Sequence, residues 1–167
     1  GSGGGDNLRV LKKWAQKHSV NAYFTGIDIN AECVTFAKSQ PQNKGIQFIC
    51  SDYKTVVFPQ PPHIIFSSLF CHHFSHDELV QMMQWKFKNA TSGFFINDLQ
   101  RHPLAYHSIK LLTTIFSKSY LVKNDAPLSV LRGFSKEEWQ DIFKEAGITN
   151  FTISWQWAFR WLLTCVH

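Results

Sequence analysis

Leu8, Leu11, Trp14 and Ala15 recur at three to four residue intervals, while Arg9, Lys12, Lys13 and Lys17 fall largely between them. That spacing predicts a helix with one apolar stripe, beginning at Asp6 directly after Gly1-Ser2-Gly3-Gly4-Gly5. After Asn21 the pattern changes to the short apolar, aromatic run AYFTGIDI, of strand length. NAECVTFAKS then returns to helical spacing behind Asn30, a residue whose side chain can accept from free backbone donors. IQFICSD and HIIFSSLF read as two further strands, and the second lacks polar alternation, as a strand buried on both faces does. PQPP at 59–62 separates them and cannot be regular structure.

The same logic continues to the end of the chain. Ser75 and Glu78 have capping-box spacing and open a helix to about Lys88; Ser135 and Glu138 repeat it and open one that closes at Gly147. GFFINDL is a strand, and HPLAYHSIKLLTTIFSKS a helix with Pro103 tolerated in its first turn. The last segment, ITNFTISWQWAFRWLLTCVH, has strand character in both halves, so it predicts an antiparallel pair turning near Gln156. Alternation of strand and helix over most of the chain predicts an α/β, doubly wound, mainly parallel sheet with helices on both faces. A sheet of this kind has a strand feeding the glycine turn, so that first strand is expected to be missing from the sequence.

Composition narrows the class. With 167 residues, 44% hydrophobic and 17% charged, one folded domain is expected and disorder is not. The net charge of +5 is scattered and forms no basic run, which argues against nucleic acid as partner. Cys33, Cys50, Cys71 and Cys165 share no CxxC spacing and read as reduced thiols. No run has membrane-span length, and the N-terminus lacks the order of a secretory signal, so a cytoplasmic location is expected.

By composition Gly1–Gly5 is a flexible linker; its context suggests another role. In doubly wound sheets ligands bind outside the carboxyl ends of the strands, and a glycine-rich turn into the first helix lets backbone approach them. Asp28 closes the next strand, 23 positions after Gly5, where a carboxylate can accept from both hydroxyls of a ribose. The dinucleotide fingerprint GxGxxG needs a glycine at position 6, and Asp6 stands there; Gly1, Gly3 and Gly5 form GxGxG instead.

GxGxG followed by an acid after the next strand resembles motif I and the acidic loop of the class I S-adenosylmethionine-dependent methyltransferases. Asp52 in FICSDY, the segment SSLFCHHFSHDEL and the reversed closing strand extend the likeness over the chain. SSLFCHHFSHDEL is similar to the segment after strand four in small-molecule methyltransferases related to those of quinone biosynthesis. The resemblance implies a Rossmann-like sheet of seven strands with an antiparallel C-terminal strand, in a single domain over 1–167. A lid-like insertion would lie at about 101–134. S-adenosylmethionine would be held by Gly1, Gly3, Gly5, Asp28, Ile29, Asp52, Tyr53, Ser68 and Leu69, with Asp52 taking the adenine amino group.

The implied reaction is methyl transfer to a small-molecule acceptor, on oxygen of a phenolic, polyketide-like or quinone-precursor compound, with carbon methylation as the close variant. A non-catalytic relative is the alternative. A nucleic-acid methyltransferase would carry an (N/D)PP(Y/F) motif where SSLF stands. His72 and His73 follow the fourth family strand and are the candidate bases, His73 first. Asp98, Arg101, His102, Tyr106 and Arg132 are expected at the acceptor, unless Asp98 and Arg101 simply pair on the surface. Cys71, His72, His73 and His76 also suggest a metal, but adjacent histidines on an extended segment point apart, and no metal is expected.

Overall fold

A computed structural model describes residues 1–167. The chain forms two compact units, Gly1–Pro59 and Gln60–His167. The boundary falls inside Pro59-Gln60-Pro61-Pro62, where three prolines remove the amide donors that a ladder or helix would use.

In the first unit the glycine turn leads into α1 (Asp6–Lys17), followed by β1 (Phe24–Asp28), α2 (Ala31–Ser39) and β2 (Ile46–Cys50). The strands pair in parallel, Asp28 opposite Cys50, so their carboxyl ends share one edge. Leu8, Ala15, Val34, Ala37 and Phe48 make the core. Gly26 permits it: a β-carbon there would sit 2.8 Å from Leu8 Cδ1 and 2.9 Å from Phe48 Cδ1. Asn30 caps α2, accepting from the N–H groups of Glu32 at 2.8 Å and Cys33 at 3.3 Å. Trp14, expected in the buried stripe of α1, is instead exposed and stacks on His18.

The second unit runs β3 (Ile64–Ser68), α3 (His76–Asn89), β4 (Gly93–Leu99), α4 (Pro103–Phe116), α5 (Tyr120–Leu131), α6 (Lys136–Glu145), β5 (Phe151–Gln156) and β6 (Arg160–Val166). Its sheet has the order β3-β4-β6-β5, parallel between β3 and β4 and antiparallel at the other two ladders. Phe94, Ile96, Asp98, Leu163 and Cys165 fill the covered face. Trp139, Ile142 and Phe143 of α6 are buried with them, the Phe143 ring stacking on Phe94 and on Phe151. Both capping boxes form: Glu78 accepts from the Ser75 N–H at 2.9 Å and Glu138 from that of Ser135 at 2.7 Å.

The architecture is α/β and Rossmann-like with a mixed sheet, and two expectations need correction. Six strands form, the number expected without the first strand, but they make a pair and a foursome with two antiparallel ladders where one mainly parallel sheet was predicted. Periodicity identifies strands, but which strands share a ladder depends on the partners available to each edge. Residues 120–131, within the expected lid-like insertion and given no element from the sequence, form α5 with Pro127 inside it. Proline lowers helix propensity strongly, and burial of Pro127 and Val130 outweighs that preference.

Candidate active site

The glycines of the first unit are bound to Asp28. Gly3 donates its N–H to Asp28 Oδ2 at 2.8 Å, Asn30 donates to Oδ1 at 3.0 Å, and Ser2 donates to the Ile27 carbonyl at 2.9 Å. Burial alone would raise the Asp28 pKa, but the N–H groups of Asn30, Gly3 and Ser2 outweigh it and hold the carboxyl below its usual range. A carboxylate has about four acceptor positions, so the in-chain donors leave capacity to accept from a ligand hydroxyl. Gly5 has φ +82°, and a β-carbon on it would lie 2.7 Å from Phe48 Cζ, so only glycine lets the turn pass this close to the core.

Asp28 and Asp52 come to the same edge because Ser51 donates to the Asp28 carbonyl at 3.0 Å. Asp52 is half-exposed; its Oδ1 accepts from the Lys54 N–H at 2.9 Å. Tyr53 is half-buried beside it, and Ile29 is exposed past the end of β1. The unit therefore presents a close-packed glycine turn, two carboxylates and an apolar side chain along one strand edge, an arrangement that fits a nucleoside with a free ribose.

Two residues that periodicity did not single out hold the turn. Arg9 Nη1 donates to the Gly4 carbonyl and to Asn43 Oδ1, both at 2.8 Å. Asn43, buried, donates in turn to the carbonyls of Gly4 at 3.1 Å and Ala37 at 2.6 Å. The Gly4–Asn43 bond spans 39 positions, so no local pattern carries it.

In the second unit the chain turns sharply at the end of β3. Leu69 takes φ +52° and donates to the Asn97 carbonyl at 2.9 Å, and a short 3-10 turn, Cys71–His73, follows. Asp98 holds this turn from inside. Its Oδ2 accepts from the N–H groups of Phe70 at 2.9 Å and Cys71 at 2.7 Å, and its Oδ1 lies 2.7 Å from His72 Nδ1. Asp98 is 0% exposed and its carboxyl is taken up by the turn and His72, whereas the sequence pattern suggests a place at the acceptor.

His73 is exposed, with its ring 4.2 Å from that of His72. Partial burial, then the neighbouring His72 and Arg132, lower its pKa below 6.5 against the opposing pull of Asp98. Arg132 is brought near by main-chain links: Phe134 donates to the Leu99 carbonyl at 3.0 Å and Arg101 to the Phe134 carbonyl at 3.1 Å. Ser68 accepts from Asn97 Nδ2 at 3.4 Å at the same strand end.

The remaining candidates are engaged elsewhere. Arg101 pairs with Glu138 and not with Asp98. His102 Nδ1 accepts from the Leu104 N–H at 3.2 Å, capping α4, and its ring stacks on Phe159. Tyr106 is half-buried, with the Lys110 ammonium 5.8 Å from its ring centre. His76 lies 3.0 Å from Glu145, and no three His, Cys, Asp or Glu side chains converge.

Residues 1–89, more than half of the chain, match a family described as a methyltransferase domain. No curated protein sequence matches. The fold is similar to that of the magnesium protoporphyrin IX methyltransferase ChlM from Synechocystis PCC 6803 with bound SAH (TM-score 0.62, 16% identity, 100% of this chain and 71% of that one). It is also similar to the plantazolicin methyltransferase BpumL with SAH (TM-score 0.65, 19% identity, 92% and 56%). A third is LepI in complex with SAM (TM-score 0.69, 13% identity, 100% and 41%). The chain spans about half the length of several of these matches.

Proposed function

Since this chain belongs to the methyltransferase domain family, we propose that it transfers the methyl group of S-adenosylmethionine to an oxygen of a small phenolic, polyketide-like or quinone-precursor acceptor. The observation that carries the reading is the glycine turn bonded through Gly3 to an anionic Asp28, beside Asp52 on the same edge. Gly1, Gly3, Gly5, Asp28 and Ile29 would hold the ribose and methionine parts, and Asp52 and Tyr53 the adenine. ChlM, BpumL and LepI are each solved with SAM or SAH, which supports the choice of cofactor.

Bound, the cofactor supplies an electrophilic methyl on a sulfonium, so the protein has to align the acceptor and remove its proton. His73 is neutral at pH 7 because its pKa is lowered, and an exposed neutral imidazole can take the proton of an acceptor hydroxyl. Arg132 disfavours a proton on His73 and favours the oxyanion formed when the acceptor loses its own. His72, pinned by Asp98, is a positioning residue that fixes the turn carrying His73. His102, the N-cap of α4, and Tyr106, in its first turn, remain the candidates to contact the acceptor.

Calorimetry with S-adenosylmethionine tests the cofactor site. Binding is expected, and Asp28→Asn, which keeps the size but loses the charge, should weaken it by about 10- to 100-fold. Absence of binding at millimolar cofactor by the folded protein would overturn the reading.

A further inference from the structure

The hairpin of α4 and α5 is built inside out. Its packed side holds Ala105, Thr113, Pro127 and Val130. Its large apolar side chains point to solvent instead: Leu104, Leu111 and Ile115 along one stripe of α4, then Phe116, Tyr120 and Leu121 around the turn joining the helices. Phe116, Tyr120 and Leu121 are 78%, 76% and 68% exposed. A monomeric protein rarely leaves an apolar surface of this extent in water.

Charge indicates what covers it. From Pro103 to Leu131 the charged side chains are Lys110, Lys118, Lys123 and Asp125, three basic against one acidic. Lys110 and Lys118 are exposed and Lys123 half-buried. If two copies met through this same patch, each set of lysines would face the other's. An anionic bilayer instead offers hydrocarbon for the apolar tip and phosphates for the lysines. We propose that the α4–α5 hairpin docks the protein onto an anionic lipid surface, Phe116 and Leu121 entering the headgroup boundary, Tyr120 at the interface and the lysines reaching the phosphates. At 14 and 12 residues the helices are shorter than the roughly 20 that a span needs, so they would lie in the interface. The proposal rests on the hairpin surface and is independent of the methyl-transfer reading.

Co-sedimentation with vesicles of phosphatidylcholine, alone or mixed with phosphatidylglycerol, tests it. Wild-type protein should pellet with the mixed vesicles and far less with the neutral ones, and salt should release it. Lys110→Gln with Lys118→Gln should weaken binding about fivefold per lysine. Phe116→Ser with Leu121→Ser should abolish it while leaving the melting temperature unchanged. Failure of wild-type protein to pellet with the mixed vesicles, or equal pelleting by the lysine variant, would overturn the proposal. So would a lipid-free dimer that the Phe116/Leu121 variant splits.

Discussion

Each histidine of the 3-10 turn has its own chemistry because each has different neighbours. His72 is bonded through Nδ1 to a carboxylate with no exposed surface, so its ring is fixed; His73 keeps an exposed ring whose proton affinity its neighbours lower. If His73 is the base, the rate of methyl transfer should fall only as pH drops through a pKa below 6.5, where its imidazole becomes charged. Arg132→Gln removes one of the cations that lower that pKa, so the acid limb of the kcat/KM profile should move to higher pH. An unmoved limb in Arg132→Gln, or an unaltered profile in His73→Ala, would exclude His73 as the base. The sequence placed the pair HH correctly at a strand end, but it could not show which histidine is held, because the holder, Asp98, is 26 positions from His72.

At the scale of elements, α3 contains a residue that its pattern does not explain. Lys86 is buried, and burial pulls its pKa down to about 8. The unfolded chain therefore binds more protons than the folded one between about pH 8 and 10.5, and stability should rise with pH across that window. At neutral pH the charged ammonium costs on the order of 3 kcal/mol. Lys86→Met should stabilise the fold by a comparable amount and remove the slope, measured by urea unfolding at several pH values. Helices and strands were otherwise the most legible level: capping boxes at Ser75 and Ser135, the Asn30 cap and the closing hairpin are local signals. The helix α5 was not legible, since its proline argues against helix and only burial of one side reverses that.

For the whole molecule, a ligand that binds only the folded state stabilises it by about 2.7 kcal/mol at a free concentration 100 times its Kd. S-adenosylmethionine should therefore raise the melting temperature in a concentration-dependent way, and Asp28→Asn should need more cofactor for the same shift. A melting curve indifferent to the cofactor at any concentration would contradict the proposed site. The glycine turn, the acid at Asp28, the strand-end histidines and the order of the α and β segments other than α5 were determined by the sequence alone, because periodicity, caps and turn residues act within a few positions. The tertiary structure alone decided the division of six strands into two sheets and the Arg9–Asn43 clamp on Gly4. It also decided that Asp98 grips the histidine turn and that the α4–α5 hairpin shows its apolar side to solvent. These depend on groups dozens of residues apart meeting in space, and on which side of an element finds something to pack against.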